Sequence, residues 1–205
     1  MMENLRSMPD QEKYQRANEM VRLYQKHVLP FVEQHLGYAE MHNLRSIWQA
    51  GITSIQEQDS EHDKYEKAYS NWIWLANCSH NALADKLSSQ EILEYKRLLL
   101  HLYEQLLDTS NLSILRLIRA HRALAKSLLY DMQWLTPLEL TSCSATKVTC
   151  VVHECKILQV SGAIRVCRVD CRNVGTAYAR SIYHLKRVTV LSNHGCTITL
   201  TPLEP

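Results

Sequence analysis

The feature that most narrows the fold is a change of period at Thr136-Pro137. Before this point apolar residues recur at three- and four-residue steps, and after it they alternate with polar ones. The first spacing lines one face of a helix, the second one face of a strand. A chain of 205 residues with this switch reads as α+β. It predicts a helical N-terminal bundle of about five helices over residues 1–135. A small, mostly antiparallel, Cys-rich sheet over 136–205 is expected to pack on it.

Punctuation along the chain sets the expected helices. Pro9-Asp10 starts the first, with Tyr14, Ala17, Val21, Tyr24 and Val28 on one face, and Gly37 stops it. Pro30 predicts a break inside this segment. The second helix runs from about Ala39 to Gln56 and the third from about Lys64 to Leu87, carrying Tyr65, Tyr69, Trp72 and Trp74. So much aromatic surface predicts that the third helix is the spine of the bundle, touching the last helix through Leu124 and Leu128 and also the sheet. Ser88 or Ser89 caps the fourth, with Glu91 and Glu94 in its first turn, and that helix continues to about Leu107. Asp108-Thr109-Ser110-Asn111 reads as a turn, and a fifth helix follows from Leu112 to Gln133. Strands are expected over 147–158, 163–169, 186–191 and 197–201, with Asn173 to Tyr183 forming a short helix or a crossing loop.

Composition excludes several classes. No stretch approaches the ~20 apolar residues that span a bilayer. The opening Met1 to Gln15 lacks the apolar core of a secretory signal, so the expectation is a cytoplasmic chain with reduced thiols and no membrane partner. The first 135 residues hold 15 basic against 17 acidic side chains and the last 70 hold 8 against 4. That surplus is too thin, and too poor in stacking aromatics, to point to nucleic acid. GxSxG, P-loop and GxGxxG patterns are absent, as is Glu-x-x-His. No cofactor is expected.

Cysteine is the one compositional oddity. Cys143, Cys150, Cys155, Cys167, Cys171 and Cys196, six of the seven, fall in the last 63 residues. Zinc fits poorly, because no CxxC occurs and Cys167 and Cys171 on a strand would lie about 13 Å apart. Thiol chemistry needs a base or cation beside the sulfur. His153 is two residues from Cys155, His194 two from Cys196, and Arg168 and Arg172 flank Cys171. The alternative is that these are small buried side chains of a sheet. Trp72 with Tyr65 and Tyr69 forms either core or the wall of a ligand pocket.

The order of features in the last third carries a resemblance. Lys147-Val148-Thr149-Cys150-Val151-Val152-His153-Glu154-Cys155 is followed by Cys167-Arg168-Val169-Asp170, by Leu185-Lys186-Arg187-Val188-Thr189-Val190-Leu191 and by His194-Gly195-Cys196-Thr197-Ile198. This resembles the C-terminal core of the L-2-amino-thiazoline-4-carboxylic acid hydrolase-like family. The resemblance implies hydrolytic opening of a C–N or C–S bond in a cyclic amidine or thiazoline ring. It carries over Cys155, Cys167, Asp170 and Cys196. In that reading Cys155 is the nucleophile, His153 or His194 the base and Asp170 the orienting or proton-donating acid. Cys167 and Cys196 would contact the ligand, and Trp72 joins them where its aromatic cluster is read as the pocket wall. The final Gly/Cys strand pair is also similar to 4-vinyl-reductase-type domains, which implies ligand sensing without catalysis. The two readings, hydrolase and non-catalytic ligand-binding or adaptor module, stay open at this point. A small molecule is the expected partner, and a homodimer through the helical part is compatible with the pattern.

Overall fold

The computed structural model describes residues 5–106 and 112–203. The expected turn over Asp108–Asn111 lies outside the described residues. In chain order the elements are α1 (Asp10–Leu36), α2 (Tyr38–Gly51), α3 (Glu61–Leu83), α4 (Ser89–Gln105), α5 (Leu112–Leu117) and α6 (His121–Asp131). Then come β1 (Glu139–Cys143), β2 (Val148–Val152), α7 (Lys156–Gln159), α8 (Ile164–Val166), a π-helical stretch (Cys167–Val174), α9 (Gly175–Tyr183), β3 (Leu185–Leu191) and β4 (Cys196–Pro202). The chain is therefore α+β, with helices first and a four-stranded antiparallel sheet of order β1-β2-β4-β3 last.

Side-chain chemistry at the helix ends matches the cap signals. Gly37 takes φ 88°, a conformation open to glycine, and closes α1. α3 starts at Glu61, ahead of the expected Lys64, where Ser60 accepts from the Asp63 N–H. Ser88 and Glu91 form a reciprocal capping box at α4.

Four local expectations are corrected. α1 runs through Pro30 unbroken. Proline removes one backbone donor, but Val28, Leu29 and Val32 beside it are buried and hold both halves of the helix in the core. The fifth helix is split into α5 and α6, where Arg119 adopts a left-handed φ of 51°. Residues 163–169, read as a strand, are helical. Their buried positions Ala163, Val166, Cys167, Asp170 and Val174 follow a step of three or four, so Ile164 to Tyr183 forms one α–π–α helix. The strand expected over 147–158 stops at Val152, and a helical turn begins after Cys155.

The spine is a pair of helices. α3 packs chiefly along α1, with α2 and α8 on its flanks, while α6 packs against α5, α9, β3 and β4. The principal partner of α3 is thus α1, and neither α6 nor a strand is among its larger contacts. Trp72 is fully buried and Trp74 is 37% exposed, because two residues along a helix turn the side chain by about 200°. One contiguous apolar cluster runs from α1 to β4. The inner sheet face carries Val148, Cys150, Val152, Leu185, Ile198 and Leu200, with Arg187 among them.

Candidate ligand cavity

The wide turn of the π-helix sits where the bundle meets the sheet, and it positions Asp170 and Cys171. The Gly175 N–H reaches the Asp170 carbonyl five residues back, the hydrogen bond that defines this geometry. Such turns recur at functional sites.

Asp170 is the centre of a buried polar network. Its Oδ1 accepts from Tyr24 Oη on α1 at 3.0 Å and from Tyr103 Oη on α4 at 3.2 Å. Its Oδ2 lies 2.5 Å from His80 Nε2 on α3. In the tautomer with hydrogen on Nε2, His80 Nδ1 accepts from Tyr95 Oη at 3.1 Å. Burial first, and the Asp170 charge second, push the Tyr24, Tyr95 and Tyr103 hydroxyls well above the ordinary tyrosine range. All three remain donors, and both oxygens of the carboxylate are satisfied by the protein.

Beside this network lies a cavity of about 30 Å³. Its wall includes Tyr103, Asp131, Trp134, Asp170, Cys171, Gly175, Tyr178, Arg16 and Arg187. Asp131 is engaged by Arg16 Nη1 at 2.8 Å and by the Tyr183 hydroxyl, and burial raises its pKa. Arg187 on β3 is 6% exposed. Its Nε–H donates to Thr189 Oγ1 at 3.3 Å. Among the described residues, no carboxylate lies within salt-bridge distance of this guanidinium and neither Nη has a hydrogen-bond partner. Burial lowers its pKa, opposed by the neighbouring thiols of Cys171, Cys196, Cys150 and Cys167. Gly175 makes room for it: a Cβ there would stand 2.2 Å from Nη1.

The structure distributes the sequence-selected residues unevenly. Asp170 lines the cavity, as does Cys171. Cys155, Cys167 and Cys196 lie behind this wall, close enough to Cys171 or to one another to interact. Cys155 is buried, and its N–H donates to the His194 carbonyl at 2.7 Å. The His194 side chain is exposed, and so is that of His153, whose Nε2 sits 2.7 Å from Glu139 Oε2. Among the described residues no imidazole is hydrogen-bonded to a cysteine. Trp72 stands one layer back, its ring edge-on to Trp134 at 5.0 Å. Burial pushes the Cys150 thiol up to about 12 and Cys196 up to about 11, and raises Cys167 and Cys171 as well. Among the described residues no group of three or more His, Cys, Asp or Glu is placed to hold a metal ion.

Arg187, His80, Tyr24, Tyr103 and Cys171 were not selected as site residues from sequence. The spacing of Leu185, Arg187 and Thr189, all on one strand face, was the available signal for Arg187. No local signal marks Tyr24 or His80, because their partner Asp170 is 146 and 90 residues away. Comparison of the chain with protein-family models, curated proteins and solved structures finds no match.

Proposed function

We propose that this chain is a non-catalytic small-ligand-binding protein whose ligand occupies the cavity at the seam between bundle and sheet. The observation that carries this reading is the cavity itself. It joins α1, α4, α6, the π-helix, α9 and β3, and its aromatic wall holds a few fixed polar groups. Ligand sites are commonly built in this way, from an apolar lining with convergent polar atoms. At about 30 Å³ it has room for roughly two water-sized spheres, so the ligand has only a few heavy atoms.

Thiol-assisted hydrolysis has less support. A nucleophilic cysteine needs a base or a lowered pKa. Among the described residues no imidazole is hydrogen-bonded to Cys155, and the two candidate bases, His153 and His194, face solvent.

Trp134 in the wall provides the test. Titration with a panel of small polar fragments should change the emission of the wild-type protein saturably. Trp134→Phe should lose that change, and Cys155→Ser should keep it. A panel that leaves Trp134 emission unaltered throughout removes the binding reading. Ring opening of a thiazoline or cyclic amidine by the wild-type protein, lost in Cys155→Ser, would replace it with the hydrolase.

A further inference from the structure

We infer that the cavity is a receptor for a small planar oxyanion (a carboxylate, nitrate or bicarbonate of three or four heavy atoms) held by the fork of Arg187. The inference rests on the ligand-binding reading above and specifies its chemistry.

Arg187 presents five N–H donors in a fixed plane. One is used by Thr189 Oγ1. The four on Nη1 and Nη2 have no acceptor among the described residues, although the side chain is 6% exposed and its guanidinium lines the cavity. Neither Nη atom is fully shut off from solvent space, so these donors are open to an occupant of the cavity. The other charged groups of the wall are already engaged. Asp170 is taken by Tyr24, Tyr103 and His80, and Asp131 by Arg16 and Tyr183. Arg16 is also held by Glu12. Among the charged groups of the wall, Arg187 thus has the most donors without an acceptor among the described residues.

A planar pair of oxygens answers a guanidinium bidentately, which a single water does not. The volume admits a triatomic or tetra-atomic ion and excludes a sugar acid or a nucleotide. Protonated thiols at Cys171 and Cys167 leave the cation without a counter-charge on that side. A second, open groove shares Arg16 and Leu106 with the cavity wall.

Sodium formate, acetate and nitrate are the probes, against sodium gluconate at equal ionic strength and against acetamide, the uncharged isostere of acetate. The expected result is a saturable rise in the melting temperature of the wild-type protein with the three small anions. At a hundredfold excess over Kd the rise is about 5–10 °C. Acetamide should bind at least tenfold more weakly than acetate. Arg187→Met should abolish the anion response, and Gly175→Ala, which displaces Nη1, should weaken it at least tenfold.

Equal melting temperatures in gluconate and in the small anions mean that the donors are met by water only, and overturn the inference. So does an acetate response that survives Arg187→Met. Acetamide binding as tightly as acetate also overturns it, while leaving the cavity a ligand site. Should Arg187→Met not fold, the comparison of acetate, acetamide and gluconate on the wild-type protein decides the matter alone.

Discussion

The Nε2 atom of His80 and Oδ2 of Asp170 meet at 2.5 Å, with the two side chains 2% and 0% exposed and 90 residues apart in sequence. This contact ties α3 of the bundle to the π-helix of the C-terminal third. Removing one member leaves the other buried without its partner, which costs about 3–5 kcal/mol. Asp170→Ala should therefore lower the urea unfolding free energy by that amount. Asp170→Asn keeps an acceptor for the tyrosines and should lose less. A His80→Ala/Asp170→Ala double variant should fall short of the sum by about 0.5–3 kcal/mol. Additive losses would show that the two side chains act on stability independently.

The buried thiols make the fold sensitive to alkali. An unfolded cysteine ionises near pH 8.5–9. In the folded chain Cys150 is pushed up to about 12 and Cys196 to about 11, by burial in both cases. Below about pH 9 both states are protonated and the contribution is fully present. Above that the unfolded thiol ionises first, so stability falls by about 1.4 kcal/mol per pH unit per thiol. Unfolding under reducing conditions at pH 8, 9.5 and 10.5 should show this fall, to which Cys167, Cys171 and the buried tyrosines also add. Cys150→Val should flatten it by one thiol's share, since the other titrating groups are unchanged. Identical slopes would mean that Cys150 ionises as readily in the native chain as in the unfolded one.

The capping box of α4 should respond to acid. The Ser88 hydroxyl and backbone, followed by His35, hold the Glu91 carboxyl down at about 2. This depressed pKa contributes stability that is present above the unfolded value of about 4.3 and lost as pH falls toward 2. Ser88→Ala removes the cap and should cost about 1 kcal/mol at pH 7. Glu91→Gln should remove part of the pH dependence between 4.5 and 2. If the wild-type and Glu91→Gln unfolding curves keep a constant separation across that range, the carboxylate is not what the cap holds.

The bundle was legible because its signals are local. Gly37, Ser88 and Glu91 mark ends within three residues of what they cap, and the burial of Ala17, Tyr24 and Val28 follows the helical step. The segment from Ala163 to Val174 misled because Ile, Val and Cys interleaved with Arg satisfy two periods at once. Arg165 and Arg168 stand three apart, and the buried set likewise skips by three and four. Arg187 was hidden for a different reason. On β3 the hydrophobic choice for the inner face is Val188 and Val190, yet both are exposed and Leu185 with Arg187 points inward. Packing a cation inside is not something hydrophobic patterning can indicate. It becomes intelligible only with Gly175 and the cavity in place. Pro30 shows the converse, a strong local breaker overridden by buried neighbours on both sides.

Trp72 and Trp74 separate burial from composition in one helix. The Trp72 ring is fully buried between Tyr69 at 5.5 Å and Trp134 at 5.0 Å, and its Nε1–H has no partner among the described residues. Truncation to alanine opens a cavity and removes two ring contacts, so Trp72→Ala should cost about 3–5 kcal/mol. Trp72→Phe keeps most of the apolar volume and deletes a donor that the core leaves unsatisfied. Removing an unpaired buried donor recovers part of the lost packing, so this variant should lose under about 1.5 kcal/mol. Trp74 lies over Gly51 and donates from Nε1 to the Ile47 carbonyl at 3.2 Å, with 37% of the residue exposed. Its role is to clamp α2 to α3 at the surface, and Trp74→Ala should cost about 1–2 kcal/mol, the scale of one partly exposed contact. Urea unfolding of the three variants checks the ranking. A Trp74→Ala loss equal to that of Trp72→Ala would place the energetic centre at the α2–α3 clamp, and the pairing of α3 with Trp134 would then not be what anchors the bundle to the cavity wall.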